Sequence, residues 1–239
     1  MQVKTEAIVV NTIRYSEADL IVKMFTKQVG FVSYMLKGVL KSKKGKLRPS
    51  FFQIGSLLEI DAIHYANRNL YTLKEVKPKF HFKTLHSSVL KSSVLTFLLE
   101  IIDGVLIDEE SDEDLYEFFY DAFLWLDDNE ELASFHVLFL IKFTAFLGCF
   151  PDDTNKEMPE FNLESGRFVP FSKGNSTISN ELLINFRLLL GMKFDDLKTI
   201  SIIKEQRKYL LKMMLKYYEF HVTGYQEPKS LLILEQLFN

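Results

Sequence analysis

The sequence contains a single cysteine, Cys149, so no disulfide can form within the chain. It also lacks an apolar run of the roughly 18 to 20 residues that span a bilayer, because charged residues such as Glu100 and Lys142 interrupt the longest ones. The first residues, MQVKTEAIVVNT, do not combine a charged start with a long apolar stretch and a cleavage site. We therefore expect a protein that stays in the cytoplasm and binds no membrane.

Motifs that mark common catalytic or metal sites are also missing. The ten glycines never show the GxGxxG or GxxxxGK[ST] spacing that cradles a phosphate-bearing cofactor. The five histidines show neither HExxH nor paired-cysteine spacing, so we expect no metal and no cofactor. We interpret His136 as a hydrogen-bonded core residue and the pair Asp127-Asp128 as a solvated turn. These absences favour a protein that is not an enzyme.

Charge is distributed unevenly along the chain. Residues 1–80 contain 14 Lys and Arg against 6 Asp and Glu, whereas residues 81–239 contain 15 against 26. The overall charge of −3 therefore hides an N-terminal part at +8 and a remainder at −11. Between Lys91 and Lys142 there is no Lys or Arg. Such a division indicates a polyanion-binding segment joined to a body that repels nucleic acid.

The first eighty residues show the alternation of apolar and polar residues that is typical of half-buried strands. We predict five strands, at Val3–Asn11, Asp19–Thr26, Phe31–Lys37, Gly55–Tyr65 and Asn69–Val76. The segment Ser16–Asp19 fits either a helix cap or a turn, and the spacing of Leu20, Val22 and Met24 favours a turn before a strand. Five short strands suit a small barrel, which we place at residues 1–80.

From residue 81 onward the apolar residues follow the helical period. We predict helices over residues 85–106, 111–126, 130–147, 179–191, 201–222 and 228–238. Gly148 and Pro151 end the third helix, and residues 149–178 are rich in turn residues, with a hairpin at Glu164-Ser165-Gly166. The predicted fold is therefore α+β, with an N-terminal barrel followed by a helical domain at 81–239 that contains an irregular excursion at 149–178.

The segment KGVLKSKKGKLR, residues 37–48, is the strongest candidate for a binding site. No acidic residue occurs between Phe31 and Leu58, and lysines that neutralise phosphates release counterions, which gives affinity that is salt-dependent and tolerant of sequence. The candidate nucleic-acid-binding residues are Arg14, Lys37, Lys41, Lys43, Lys44, Lys46, Arg48 and Arg68. The candidate base-stacking residues are Tyr34, Phe51, Tyr65 and Tyr71, although their spacing equally suits core positions.

A second basic row occurs on the helix predicted at 201–222. Lys204, Lys208, Lys212 and Lys216 recur every four residues, with Arg207 beside them. A row of this kind is typical of a solvated helix face, and the alternative is a second surface for DNA or for an acidic peptide.

Several ordered motifs resemble the RecO family. YSEADLIVKMFTKQVG is similar to the family's [S/G]EAD turn and following strand, with glycines at Gly30 and Gly38 and a basic loop behind them. Further matches follow in order: Phe51-Phe52-Gln53 before Leu57-Leu58-Glu59, Phe146-Leu147-Gly148 before Pro151, the run 161–168, and Tyr218, His221 and Gly224 before Ser230-Leu231. The resemblance covers most of the chain.

This resemblance implies an OB-fold, a helical bundle and a role in recombinational DNA repair. It implies binding to single- and double-stranded DNA, strand annealing, work with RecR at the nucleoid, and help in loading recombinase onto DNA coated with single-stranded-DNA-binding protein. It also implies binding of that protein's acidic, Phe-ended C-terminal tail, for which Lys204, Arg207, Lys208 and Lys212 are candidates. Many relatives have a four-cysteine zinc site after the central helix, whereas here only Cys149 remains, so we expect a zinc-ribbon-like excursion without zinc that is held by packing and turn hydrogen bonds.

Two other functions fit the same residues. An RNA-binding OB-fold protein would use the same lysines and aromatic residues, and only contacts to the 2′-hydroxyl would distinguish it. A protein-interaction adaptor would use the helical domain alone, with the basic loop serving solubility.

Overall fold

The computed structural model describes residues 1–41, 47–65, 69–106, 110–171 and 176–238. Two compact units divide the chain, Met1–Asp127 and Asp128–Asn239. The first unit contains all the strands before residue 80 and also the first two helices. The change from strand to helix near residue 80 therefore does not coincide with the division into compact units.

Five strands close into a barrel in the first unit. They are β1 (Gln2–Arg14), β2 (Leu20–Thr26), β3 (Gly30–Leu36), β4 (Leu57–Ile63) and β5 (Leu70–Pro78), in the order β1-β2-β3-β5-β4. Neighbouring strands are antiparallel except β3 and β5, which run parallel with Ser33 opposite Leu70 and Tyr34 opposite Tyr71. This closed five-stranded arrangement is that of the OB-fold, so the predicted N-terminal barrel is confirmed.

The strands lie close to their predicted positions because alternate residues face one interior. Ala7, Val22, Tyr34, Ile60 and Leu73 are all buried in the same core. The segment before β2 is a turn rather than a helix cap, since the Ser16 hydroxyl accepts from the backbone N–H groups of Ala18 (3.2 Å) and Asp19 (3.1 Å). The preference for a turn followed by a strand is confirmed.

Two helices, α1 (Val89–Val105) and α2 (Glu113–Asp128), follow the barrel in sequence. On β1, Ile8 and Val10 are buried as fully as Ala7 and Val9, because α1 packs against the strand from outside the barrel. Close packing of α1 also requires Gly55, which has φ of +78°, and a Cβ there would lie 2.6 Å from Leu95 Cδ2.

Asp127, near the end of α2, is a buried structural residue. Its side chain accepts hydrogen bonds from the backbone N–H groups of Lys83 (2.9 Å), Thr84 (2.8 Å) and Leu85 (2.7 Å). The ammonium of Lys91, itself only 1% exposed, donates to the Asp127 carbonyl (2.6 Å) and to the Thr84 hydroxyl (2.7 Å). The interpretation of this acidic residue as part of a solvated turn was therefore wrong.

In its described residues, the second unit contains four α-helices and a small sheet. The helices are α3 (Phe135–Phe146), α4 (Asn180–Leu190), α5 (Lys204–His221) and α6 (Leu231–Leu237), and the strands are β6 (Glu160–Asn162), β7 (Arg167–Val169) and β8 (Thr177–Ser179). Together with α1 and α2, these helices confirm the six predicted ones. The hairpin predicted around Gly166 is formed by β6 and β7, whereas β8, the second neighbour of β6, was not predicted.

The described part of the 149–178 excursion is attached to α5 and α4 by its backbone and its aromatic residues. The Tyr217 hydroxyl donates to the Cys149 carbonyl (2.9 Å), and a ring nitrogen of His221 bonds the Leu163 carbonyl (2.8 Å). Phe161 packs on Phe186 with ring centroids 4.8 Å apart. Packing and hydrogen bonds hold this segment, as the sequence predicts.

Candidate nucleic-acid interface

The turn between β1 and β2 is attached to the segment that follows β3. The Gly38 N–H donates to Asp19 Oδ1 (2.7 Å), and the Leu40 N–H donates to the Ala18 carbonyl (2.9 Å). These bonds bring Arg14, at the end of β1, to the same end of the barrel as Lys37 and Lys41. Two segments that are distant in sequence therefore contribute to one basic surface.

We call Arg14, Lys37 and Lys41 the basic cluster, and all three are exposed, as is Arg48. Arg14 Nε donates to the Ser16 carbonyl (3.2 Å), and the Arg48 guanidinium lies 6.0 Å from the centre of the Phe51 ring. The remaining predicted binding residues, Lys43, Lys44, Lys46 and Arg68, lie outside the described residues.

Two carboxylates lie near the basic cluster, and neither cancels its charge. Lys41 Nζ is 3.2 Å from Glu17 Oε2, but the two side chains are 65% and 88% exposed, and ion pairs this exposed contribute little. The Gly38 N–H, the Ser16 hydroxyl and the charges of Lys37 and Lys41 lower the pKa of Asp19, so this carboxylate stays ionised and holds the Gly38 backbone. The cluster keeps a net positive charge.

Other barrel lysines are paired with carboxylates instead. Lys23 Nζ lies 2.9 Å from Asp103 Oδ1, Lys27 Nζ lies 2.6 Å from Glu117 Oε1, and Lys79 pairs with Glu6. The side chains of all three lysines are at most about a third exposed, unlike Lys41. These three lysines are therefore less open to a ligand than Lys41, whereas Lys4 on β1 and Lys74 and Lys77 on β5 are exposed as well.

The aromatic candidates differ in their access to a ligand. Tyr34 is fully buried in the barrel core, so it occupies the core position that its spacing allowed and does not serve as a stacking platform. Phe51 packs partly against the same core, whereas Tyr65 is 40% exposed. Tyr15, which was not among the predicted base-stacking residues, is 65% exposed and directly follows Arg14 at the β1–β2 turn. Its position in a turn, outside any alternating strand pattern, was the available signal.

The basic row of α5 borders a small cleft in the second unit. Lys204, Arg207 and Lys208 line this cleft together with the apolar residues Leu211, Leu234 and Phe238. Lys212 is exposed on the same helix but does not line it. His136, at the base of the cleft, is buried, and its burial together with the charge of Arg207 lowers its pKa to about 3. The imidazole is therefore neutral at physiological pH.

No group of three or more His, Cys, Asp or Glu side chains in the described part of the chain is arranged to hold a metal ion. Within the five described ranges, no helix is both long enough and apolar enough to cross a bilayer.

Two family models match the chain. Recombination protein O N terminal matches residues 1–82, and Recombination protein O C terminal matches residues 86–231. The chain is similar to the DNA repair protein RecO of Christiangramia forsetii, with 39% identity over 238 residues and 100% of both chains covered. It is 37% identical over 239 residues to that of Flavobacterium psychrophilum, with 100% of both chains covered. Identity to that of Phocaeicola vulgatus is 29% over 239 residues, covering 99% of each chain.

Proposed function

The chain belongs to the RecO family of DNA repair proteins, and from this membership we propose that it is a recombination mediator that binds DNA through the basic cluster. The observation that carries the proposal is the meeting of Arg14, Lys37 and Lys41 at one end of the OB-fold barrel, where the nearby carboxylates of Glu17 and Asp19 leave a net positive charge. OB-folds commonly bind oligonucleotides through loops that join the barrel strands, including the loop between the first two strands, where Arg14 lies. The ligand is the phosphate backbone of single- and double-stranded DNA.

The proposed activity is strand annealing without chemical catalysis. Lysines that contact two backbones reduce the repulsion between them and raise the local concentration of strands. Base pairing between the strands then supplies the specificity, so the protein needs neither sequence recognition nor a cofactor. The protein would act in the cytoplasm, at the nucleoid, where its proposed ligand is found.

The second unit is proposed to bind protein partners. RecR and single-stranded-DNA-binding protein are the partners that family membership suggests, and their joint action would load recombinase onto coated DNA. The α5 cleft supports binding of an acidic tail that ends in phenylalanine, because Lys204, Arg207 and Lys208 outnumber Glu235, the acidic residue of its lining. Leu211 and Leu234 add apolar surface. An acidic residue would pair with the lysines while the phenylalanine ring packs against the open edge of the cleft, whose volume of about 30 Å³ is too small to enclose the ring.

The DNA site is tested by the salt dependence of single-stranded DNA affinity. Each phosphate contact contributes about 0.7 to the slope of log affinity against log salt concentration. Lys37→Gln combined with Lys41→Gln should therefore make the slope less steep by about 1.4, because two phosphate contacts are lost. The matched control is Lys74→Gln combined with Lys77→Gln, which removes the same charge from exposed positions on β5. Equal slopes for the two double variants would rule out the basic cluster as the DNA site.

The partner cleft is tested with a matched pair on α5. A fluorescent acidic peptide ending in phenylalanine should bind the native chain and bind Lys208→Glu more weakly, since the lysine lines the cleft. Lys212→Glu makes the same charge change on the same helix outside the cleft and should bind like the native chain. Equal weakening by both variants would indicate a diffuse electrostatic effect and would contradict binding of the peptide in the cleft.

A further inference from the structure

A second potential site lies on the first unit, away from the basic cluster. It is a cavity of about 200 Å³ between β2, β3, β5 and the end of α1. Lys23, Phe31, Ser33, Asn69, Tyr71 and Asp103 are among the residues that line it. The volume lies below the roughly 300 to 1,000 Å³ of sites for drug-sized ligands, so it suits a small planar group.

One wall of the cavity is aromatic and held rigidly. The Tyr71 ring is stacked on the His64 ring, with centroids 4.0 Å apart and planes only 2° from parallel. His64 is itself fixed by the buried Tyr34, whose hydroxyl is 3.1 Å from His64 Nε2. Tyr71 therefore presents a positioned aromatic surface to the cavity, which lowers the entropic cost of stacking a ligand against it.

Another part of the lining is polar and carries both a donor and an acceptor. Lys23 Nζ and Asp103 Oδ1 are 2.9 Å apart, and the Asn11 amide donates to Asp103 Oδ2 (2.7 Å). The ammonium has three N–H groups and the carboxylate has about four acceptor positions, so both retain capacity beyond these bonds. Because the Lys23–Asp103 pair carries no net charge, this wall does not attract a phosphate electrostatically and favours a neutral occupant.

We propose that this cavity binds one unpaired nucleobase of a DNA single strand. A base has flat apolar faces that stack on Tyr71, and an edge that alternates donors and acceptors and so matches the Lys23–Asp103 wall. The proposal rests on DNA binding by the barrel, and it adds a contact that a double helix cannot make because pairing hides the base edge and stacking hides its faces. The cavity gives the protein a preference for single strands, which the basic cluster alone does not provide.

The test compares a short oligothymidylate with a strand of the same length and charge that has no bases. Loss of one stacked base should weaken binding to the native chain about tenfold. Ser33→Leu fills the cavity without removing a charge, so it should bind both strands with the affinity that the native chain shows for the abasic strand. Thr72→Leu adds the same kind of bulk at an exposed position of β5 outside the cavity and should keep the full preference.

The outcomes separate this site from the basic cluster. If the native chain binds both strands equally, or if Ser33→Leu keeps the preference, the base site is wrong while DNA binding stands. Loss of the preference in Thr72→Leu as well would also overturn the site, because the effect would not depend on the cavity. If the native chain binds neither strand, the proposed DNA-binding function fails together with the site. Asn69→Leu, another exposed cavity position, replaces Ser33→Leu if the latter does not fold.

Discussion

Asp127 is the residue whose replacement should most clearly destabilise the first unit. Its carboxylate is the acceptor for three successive backbone N–H groups, at Lys83, Thr84 and Leu85, and it is 3% exposed. These bonds attach the segment that leads into α1 to the end of α2. Water cannot replace them without opening the packing between the two helices.

The expected magnitudes follow from which bonds each substitution removes. In Asp127→Asn, the remaining oxygen can accept from Thr84 and Leu85 while the new amide faces the Lys83 N–H, so one bond to a charged acceptor is lost. Such a bond contributes about 1.5 to 3 kcal/mol. Asp127→Ala leaves all three donors without their acceptor and removes the negative charge near the buried Lys91, for which about 3 to 5 kcal/mol is expected.

Trp125, the only tryptophan of the chain, provides the assay. It lies on α2 two residues before Asp127, so its fluorescence during denaturant unfolding reports the first unit selectively. Asp121→Asn is the control, because it removes the same charge from an exposed position of the same helix. If the free energy of unfolding of Asp127→Ala lies within about 0.5 kcal/mol of that of the control, these hydrogen bonds do not stabilise the unit.

The pH dependence gives an independent check. Burial opposes ionisation of Asp127, but the hydrogen bonds from Lys83, Thr84 and Leu85 outweigh it and lower its pKa. A carboxylate with a lowered pKa stabilises the folded state fully above its unfolded pKa of about 3.9, and this contribution is lost as the pH falls through the folded value. The gap in stability between the native chain and Asp127→Ala should be constant near neutral pH and shrink below about pH 4. A gap that does not change down to acid unfolding would contradict this assignment.

Two further predictions concern the second unit. Gly166→Ala should lower the stability of this unit by more than about 1 kcal/mol in thermal unfolding, since φ is +67° and a Cβ would lie 2.8 Å from the Tyr217 hydroxyl. The control Gly191→Ala should be nearly neutral, because the space around Gly191 is open. Burial lowers the pKa of His136 in the folded state to about 3, so between about pH 6.5 and pH 3 only the unfolded imidazole takes up a proton. The free energy of unfolding of the native chain should therefore fall by up to about 1.4 kcal/mol per pH unit as the pH decreases through this range, and His136→Gln should make this decline less steep. An unchanged slope in urea titrations across this range would show that His136 is not the responsible group.

The positions of strands and helices were largely determined by the sequence itself. Strands need apolar residues at every second position and helices at every third or fourth, and these periods are local properties of the chain. The five strands and six helices are therefore where the periods indicate. The division of charge at residue 80 is equally a property of composition, and it predicts that the barrel is the nucleic-acid-binding part.

Tertiary structure decided which of those residues are accessible and what they contact. Tyr34 and Tyr71 have similar sequence surroundings, yet closure of the barrel through the parallel β3–β5 contact buries the first and leaves the second beside a cavity. Asp127 resembles a solvated acidic residue in the sequence, and only the return of residues 83–85 to the end of α2 supplies the N–H groups that it binds. Contacts between segments more than forty residues apart depend on chain topology, which a local residue pattern does not encode.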